Sequence, residues 1–415
     1  MSDLSRRTFV QRLAAASAFA FLRVPIPAAR QFRVRTVTAG IPMAAVDDFA
    51  KVESALSFLD HARQAFVRKQ FEVQTVRIAT QPLSGYLRDW KSTSAIEALG
   101  ALDERAVVGN VSFSIGPVLT DGAYDRDFAR FALDLVRKTR NTSFSVVVAS
   151  PERAVHSESA RAAAEAMAAI AHGTPNGEGN FRFAATAFCP PGTPFFPAAY
   201  HEGGPGFAIG LETPPLLLEV FQGARSLTAA KDDLKIAMNR ALGEVEAIAT
   251  GIARETGWRY IGIDTSPAPL TGASIGQAIE ALTNTPFGEP GTLAACAAIT
   301  DVLKQIDVRT CGYCGLMLPV LEDPVLARRA AEGRYTVSEL LLYSSVCGTG
   351  LDVVPLPGDT SAADLTTVIA DVGALATKYG KPLSARLLPV PGKKAGDMVS
   401  FDNPYLTNSI VMPLG

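Results

Sequence analysis

Cys189-Pro-Pro-Gly-Thr-Pro-Phe-Phe-Pro-Ala-Ala-Tyr-His-Glu-Gly-Gly-Pro205 decides how this chain is read. Proline at this density removes amide donors and clashes with a helical backbone, so the stretch forms no crossover helix. Strand-like runs flank it, Phe181–Phe188 before and Gly206–Leu211 after. The other strand-like runs alternate with longer segments of helical period. A parallel connection needs such a crossover, whereas a link without one lets the next strand run the opposite way. The chain is therefore expected to reverse its strand direction once, near its middle.

Working outward, four more apolar runs precede the link: Arg33–Thr38, Val73–Thr80, Val107–Ile115 and Phe144–Ala149. Four follow it beyond Gly206–Leu211: Trp258–Asp264, Tyr313–Val320, Leu351–Leu356 and Leu383–Pro389. They are rich in Val, Ile and Phe and apolar on both faces, as strands are when helices cover both sides of a sheet. Between them, Lys231–Thr256 places Leu234, Met238, Leu242, Val245 and Ile252 on one helical stripe, and Gly257 stops it. Ser159–His172 is alanine-rich and ends at Gly173; Ser361–Tyr379 starts on a small polar cap and ends at Gly380. The expected fold is α/β: two groups of about five parallel strands, set antiparallel to each other. No internal linker separates domains, so residues 31–415 read as one domain that closes with a Pro- and Gly-rich loop after Pro389.

The 415 residues are 48% hydrophobic and 19% charged, ample for a large core without staples. Net charge is −2 and no basic run stands out, which argues against a nucleic-acid partner. No apolar run reaches the roughly 18 residues that a membrane span needs, so stable membrane insertion is not expected. At the N-terminus, Ser5-Arg6-Arg7-Thr8-Phe9-Val10 and the apolar stretch Leu13–Leu22 read as a twin-arginine export signal within residues 1–30. The other reading of that segment is an N-terminal arm on a cytoplasmic protein. The five cysteines are sparse and odd in number, so they form no disulfide framework. Nothing fixes the oligomeric state, and a homo-oligomer stays open.

Several strings together resemble one family. They are Arg35-Thr-Val-Thr-Ala-Gly-Ile41, Gly206-Phe-Ala-Ile-Gly-Leu-Glu212, Gly262-Ile-Asp-Thr-Ser-Pro-Ala-Pro269 and Gly315-Leu-Met-Leu-Pro-Val-Leu-Glu-Asp323. Cys347-Gly-Thr-Gly-Leu-Asp-Val-Val-Pro-Leu-Pro-Gly-Asp359 and Ala385-Arg-Leu-Leu-Pro-Val-Pro-Gly-Lys393 continue the match, and Gly396-Asp397 ends it. Over residues 32–412 the chain is similar to the family catalogued as domain of unknown function 711, related to uncharacterised protein family 0210. The resemblance implies a fold like that of the pyruvate formate-lyase-type glycyl-radical enzymes. That fold is a ten-stranded α/β barrel of two antiparallel five-stranded halves with a loop reaching inside. It implies no activity. The match places Cys347 on the barrel loop, yet the tail Phe401–Gly415 lacks the Arg-Val-Ser/Thr-Gly-aromatic string of the radical glycine, which argues against radical chemistry.

The candidate site residues cluster in the C-terminal half. Cys347 precedes Gly348 and Gly350 in a tight turn and reads either as a nucleophile or as a small buried thiol. Asp264, Glu322 and Asp352 stand near strand ends, where α/β folds place ligands. With Asp323 they offer acid–base groups or ligands for a divalent cation; the competing reading for Glu322-Asp323 is the cap of a helix over Pro324–Gly333. His201 in the Pro-rich link is a candidate proton carrier. Arg35, Arg386 and Lys393 with Gly392 are candidate anion clamps, against ion pairing with the carboxylates. Cys311-Gly-Tyr-Cys314 has dithiol spacing but leads into a strand, so a disulfide or two free thiols is preferred to a redox centre.

The leading reading is an enzyme acting on a small anionic metabolite inside the barrel, using Cys347, Asp264, Glu322 and His201 as catalytic groups. Gly348, Gly350, Arg35, Asp352 and Arg386 would bind the ligand. The alternatives are a non-catalytic small-molecule-binding or sensing barrel and a metal-dependent hydrolase.

Overall fold

The computed structural model describes residues 32–414 except 271. The expected strands recur with small shifts: β1 (Arg33–Ile41), β2 (Val73–Thr80), β3 (Ser112–Leu119), β4 (Thr142–Ser150), a short β5 (Ala154–Val155) and β6 (Phe183–Ala187). After the Pro-rich link come β7 (Gly206–Glu212), β8 (Arg259–Pro267), β9 (Gly350–Pro357) and β10 (Leu383–Val390). They form one ten-stranded, mostly parallel sheet in the order β8-β7-β1-β2-β3-β4-β6-β10-β9, with β5 paired to β4. β7 runs antiparallel to β1 and β10 antiparallel to β6; apart from the short β5, the remaining neighbours are parallel. A two-residue pair, β11 (Met398–Val399) with β12 (Ser409–Ile410), lies outside this sheet.

The protein is thus a mixed α/β structure. The hydrogen-bonded ladder runs from β8 at one edge to β9 at the other, and among the described residues no ladder joins them. Two isolated parallel bridges lie beyond those edges, Ile263 with Thr310 and Pro319 with Asp352.

Two of the expected strands change. Val107 and Val108 end the helix Thr93–Val108 rather than opening β3. Gly109 caps that helix, and Asn110 takes a left-handed turn at φ 51° that delays the strand. Tyr313–Val320 forms no strand. Its first amides go to a side chain, since Asp264 accepts from the backbone N–H of Tyr313 and of Cys314, and Cys314 itself has φ 46°. An amide bonded to a carboxylate is unavailable to a neighbouring strand.

The helices follow their local signals. Leu227–Thr256 starts where Ser226 accepts from the Ala229 amide and stops at Gly257 with φ 74°. Ala362–Tyr379 begins with a reciprocal capping box between Ser361 and Asp364. The helix Phe128–Lys138 shows which face of the sheet is packed. Phe128 and Phe131 of the helix Phe128–Lys138 meet Phe144 of β4, and Phe128 also meets Phe183 of β6. The alternation of a strand then sends Ser143 to the opposite face from Phe144. That opposite face carries the cavity.

Candidate functional site

A cavity of about 730 Å³ opens on the sheet face that carries Ser143, with Val136 and Arg137 of the helix Phe128–Lys138 also in its lining. Its walls come from eight strands: Thr36 of β1, Thr75 and Arg77 of β2, Ser112 of β3, Ser143 of β4, Gly210 of β7, Asp264 and Ser266 of β8, Asp352 of β9 and Arg386 of β10. The Pro-rich link contributes Pro194, Phe195 and Phe196, and the segment between β11 and β12 contributes Asp402–Tyr405. A sheet wall of short hydroxyl side chains leaves room in the middle, and a few long charged side chains project into it.

Arg386 organises one side. It is 3% exposed; its Nε donates to Asp352 Oδ1 at 2.7 Å and its Nη2 to Glu322 Oε1 at 2.7 Å. Nη1 reaches the carbonyl of Phe181 at 3.3 Å. The guanidinium lies 4.8 Å from the Phe181 ring centre and 5.4 Å from that of Phe195, a cation–π pair that dries the contact. Burial opposes charge on Arg386, but the two carboxylates outweigh it and hold its pKa above the usual value. Asp352 moves the other way: burial raises it to about 6, Arg386 pulls it down, and Glu322 raises it further. Arg35 adds a second cation, 3.7 Å from Glu322 Oε2 and 3.8 Å from Glu212 Oε2. Glu212 is also held by Arg33 at 2.6 Å.

Arg77 lies within reach of the charges of Arg35, Glu322 and Arg386 but makes no ion pair with this network. Its Nη1 donates to the carbonyl of Pro194 at 3.3 Å, and its guanidinium lies 4.9 Å from the Phe196 ring centre. Its Nε is buried without a hydrogen-bond partner, and among the described residues no carboxylate lies within ion-pair distance. Burial, with Arg35 beside it, lowers its pKa to about 9, so it remains charged at neutral pH.

Of the residues expected from sequence, the cavity gathers Arg35, Asp264, Glu322, Asp352 and Arg386. Asp264 has little acceptor capacity left. Oδ1 takes the Ser266 amide at 3.0 Å, the Ser266 hydroxyl at 2.6 Å and the Cys314 amide at 3.0 Å; Oδ2 takes the Tyr313 amide at 3.0 Å. It clamps the loop after residue 310, and burial still raises its pKa against these donors.

The other candidates lie elsewhere. Cys347 is fully buried in the main hydrophobic core, and burial pushes its thiol pKa up. Gly348 meets the backbone of Gly315, with an added Cβ 2.2 Å from the Gly315 Cα, and Gly350 has φ 88° with a Cβ site 2.3 Å from the Ser384 carbonyl. Both glycines make close backbone contacts, and neither lines the cavity. His201 is 1% exposed; one ring nitrogen meets the Gly204 carbonyl at 2.8 Å, and the ring packs against Gly40. Asp323 is a cap: Oδ1 accepts from the Val325 and Leu326 amides and from the Ser274 hydroxyl, and Oδ2 from the Ile275 and Gly276 amides. Saturated in this way, it offers no free ligand atom to a cation. Among the described residues, no group of three or more His, Cys, Asp and Glu is placed to hold a metal ion. Lys393 and Gly392 lie in the turn after β10, outside the cavity lining. Cys311 and Cys314 are free thiols. The export signal at residues 1–30 lies outside the described residues.

Sequence reading missed Arg77, Ser112, Ser143, Phe195, Phe196 and Tyr405. A signal existed for Arg77: a charge in the middle of the run Val73-Gln-Thr-Val-Arg-Ile-Ala-Thr80 has to face something polar.

Fold and site define an α/β protein in which a mostly parallel sheet walls an arginine-rich cavity. The chain belongs to the family described as Uncharacterised ACR (DUF711), whose model matches residues 27–403. It is 32% identical to a UPF0210 protein of Pyrobaculum islandicum over 362 residues, 83% of this chain and 79% of that one. It is 29% identical to a UPF0210 protein of Oleidesulfovibrio alaskensis over 414 residues, 92% of this chain and 90% of that one. No helix of the described residues is long and apolar enough to cross a membrane.

Proposed function

We propose that the cavity takes a small anionic metabolite and that Arg77 receives its negative charge. The observation that carries this reading is the buried Arg77 Nε without a hydrogen-bond partner, in a guanidinium that has no ion pair of its own among the described residues and feels Glu322 only at longer range. A guanidinium N–H shut away from water without an acceptor is destabilising, and a bound anion would supply that acceptor. The Asp352–Arg386–Glu322 group beside it supplies the chemistry in the enzymatic reading. Asp352, brought up to about 6, exchanges protons near neutral pH, and Arg386 fixes its position. Cys347 and His201 take no part, because neither lines the cavity.

The same reading treats residues 31–415 as one domain and the sheet as a barrel of two groups set antiparallel, in which the segment 310–320 stands where the tenth strand is expected. The isolated bridges of Thr310 to β8 and of Pro319 to β9 support it, since they put the intervening segment across the gap between the two edges. The twin-arginine reading of residues 1–30 remains a proposal. If changing Arg6 and Arg7 to Lys leaves the cellular location unchanged, that reading fails.

The test is a calorimetric titration with a panel of carboxylates and phosphates, followed by turnover assays on each hit. Binding is expected for at least one anion and is expected to weaken at least 100-fold in Arg77→Met, as removal of a charged, desolvated partner implies. Equal affinity in Arg77→Met overturns the reading. Tight binding without product for any hit favours a binding or sensing protein, the second reading, which the saturated Asp264 carboxylate supports.

A further inference from the structure

Arg77 does not face the cavity alone. In the register of the sheet it is the direct partner of Ser112 on β3, and Ser114, two residues on, is the partner of Ser143 on β4. Alternation along a strand puts Ser112 and Ser114 on one face, and therefore Arg77, Ser112 and Ser143 on that same face. All three line the cavity.

Most hydroxyls on this face already have protein partners. Thr75 donates to the Arg35 carbonyl at 2.8 Å, and Ser114 to the Ala199 carbonyl at 2.6 Å. Ser266 donates to Asp264 and accepts from the Gly315 amide at 3.0 Å. Ser112 and Ser143 differ: among the described residues, neither hydroxyl has a protein partner. Arg77 likewise keeps one edge open, because only Nη1 is engaged and Nε has no partner. A guanidinium edge of Nε and Nη2 is the bidentate half of an oxyanion contact. A hydroxyl both donates and accepts, so it matches another hydroxyl better than it matches a bare oxyanion.

Resting on the anion reading of Arg77, we propose that Arg77, Ser112 and Ser143 form one subsite for an oxyanion carried on a hydroxylated carbon skeleton. The oxyanion lies on the Arg77 edge, and the neighbouring ligand hydroxyls pair with the two serines across β3 and β4. A sugar acid and a sugar phosphate share this chemistry. An alkyl carboxylate lacks the groups that the serines would meet.

The experiment titrates the full chain calorimetrically with gluconate, glucose 6-phosphate, butyrate and inorganic phosphate. The variants are Ser112→Ala, Ser143→Ala, their double and Arg77→Met; thermal unfolding of each ligand-free variant confirms the fold. At least one hydroxylated anion is expected to bind tenfold or more tightly than butyrate and inorganic phosphate. Each serine change is expected to weaken it about fivefold to tenfold, the size of one hydrogen bond, without altering butyrate. Gluconate ahead of glucose 6-phosphate identifies a carboxylate head; the reverse identifies a phosphate. If all four anions bind alike, weaken in Arg77→Met and ignore the serine changes, the hydroxylated-skeleton inference is overturned and the anion reading stands. If binding of every probe is indifferent to Arg77→Met, both are overturned.

Discussion

Arg386 and Asp352 face each other across neighbouring strands, Nε to Oδ1 at 2.7 Å, at the point where the register of β10 and β9 slips. At the irregularity between Ala385 and Leu387 the Arg386 and Asp352 side chains meet, and Glu322 completes the group from outside the sheet. One cation thus holds two carboxylates in a site where all three are nearly inaccessible to water.

Arg386→Met is expected to destabilise the protein by about 3–5 kcal/mol, because it strands two buried carboxylates. Urea unfolding measures this. The double change Arg386→Met with Asp352→Asn should recover part of the loss, since the second substitution removes one stranded charge. A loss as large as in the single variant would contradict the pairing.

Asp352 sets a pH dependence. Burial, reinforced by Glu322, raises its folded pKa to about 6 from an ordinary 3.8. The native state therefore holds a proton that the unfolded chain releases, so this contribution is fully present below about pH 4 and is lost as pH rises through about 6. Relative to Asp352→Asn, the wild-type unfolding free energy should fall between pH 4 and 6 and then level off. A rise over that interval would contradict the assignment.

Asp264→Ala is expected to destabilise by about 2–4 kcal/mol, since four donors lose one acceptor. Its effect is predicted to be local: hydrogen exchange should speed up at Tyr313 and Cys314 before it changes in β2 or β3. Uniform acceleration across the sheet would show that the clamp holds more than the loop.

Cys347 is expected to resist alkylation in the folded protein at pH 8, at a rate that follows unfolding and not thiolate formation. Mass spectrometry after timed iodoacetamide treatment reads it. Rapid labelling at Cys347 in the native state would return it to the list of reactive groups.

Gly348→Ala is expected to cost about 1–3 kcal/mol through the contact with the Gly315 backbone, with anion binding unchanged once folding is confirmed. Selective loss of binding in a fully folded variant would restore a ligand role to that turn.

Most of the sheet was legible because its strands carry an unbroken apolar signal. Nine of the runs read from sequence became strands, from Arg33–Ile41 to Leu383–Val390. The segment Tyr313–Val320 carried the same signal and failed, because a distant carboxylate, Asp264, captured its amides; composition cannot register that event. The site was legible where a charge interrupts an apolar strand, as at Asp264, Asp352 and Arg386. It was not legible at Cys347 and His201, whose burial outside the cavity lining leaves no mark in composition. There, glycine serves close packing: the His201 ring fills the space beside Gly40, and the turn at Cys347 presses its backbone on Gly315. Ser112 and Ser143 carry no signal at all, since serine in a strand is unremarkable until its neighbours' bonds are known.

The reversed direction of β7 against β1 and of β10 against β6 constrains how the polypeptide emerges during synthesis. A nascent chain that stops short of Gly206 has β1 and β6 as bare outer strands. The partner of β6 arrives only with Leu383–Val390, almost two hundred residues later. Exposed strand edges recruit other strands, and contacts this remote in the chain form slowly. Incomplete chains of this protein therefore carry open pairing edges, and solubility during expression should depend on finishing the chain more than on the stability of the finished fold.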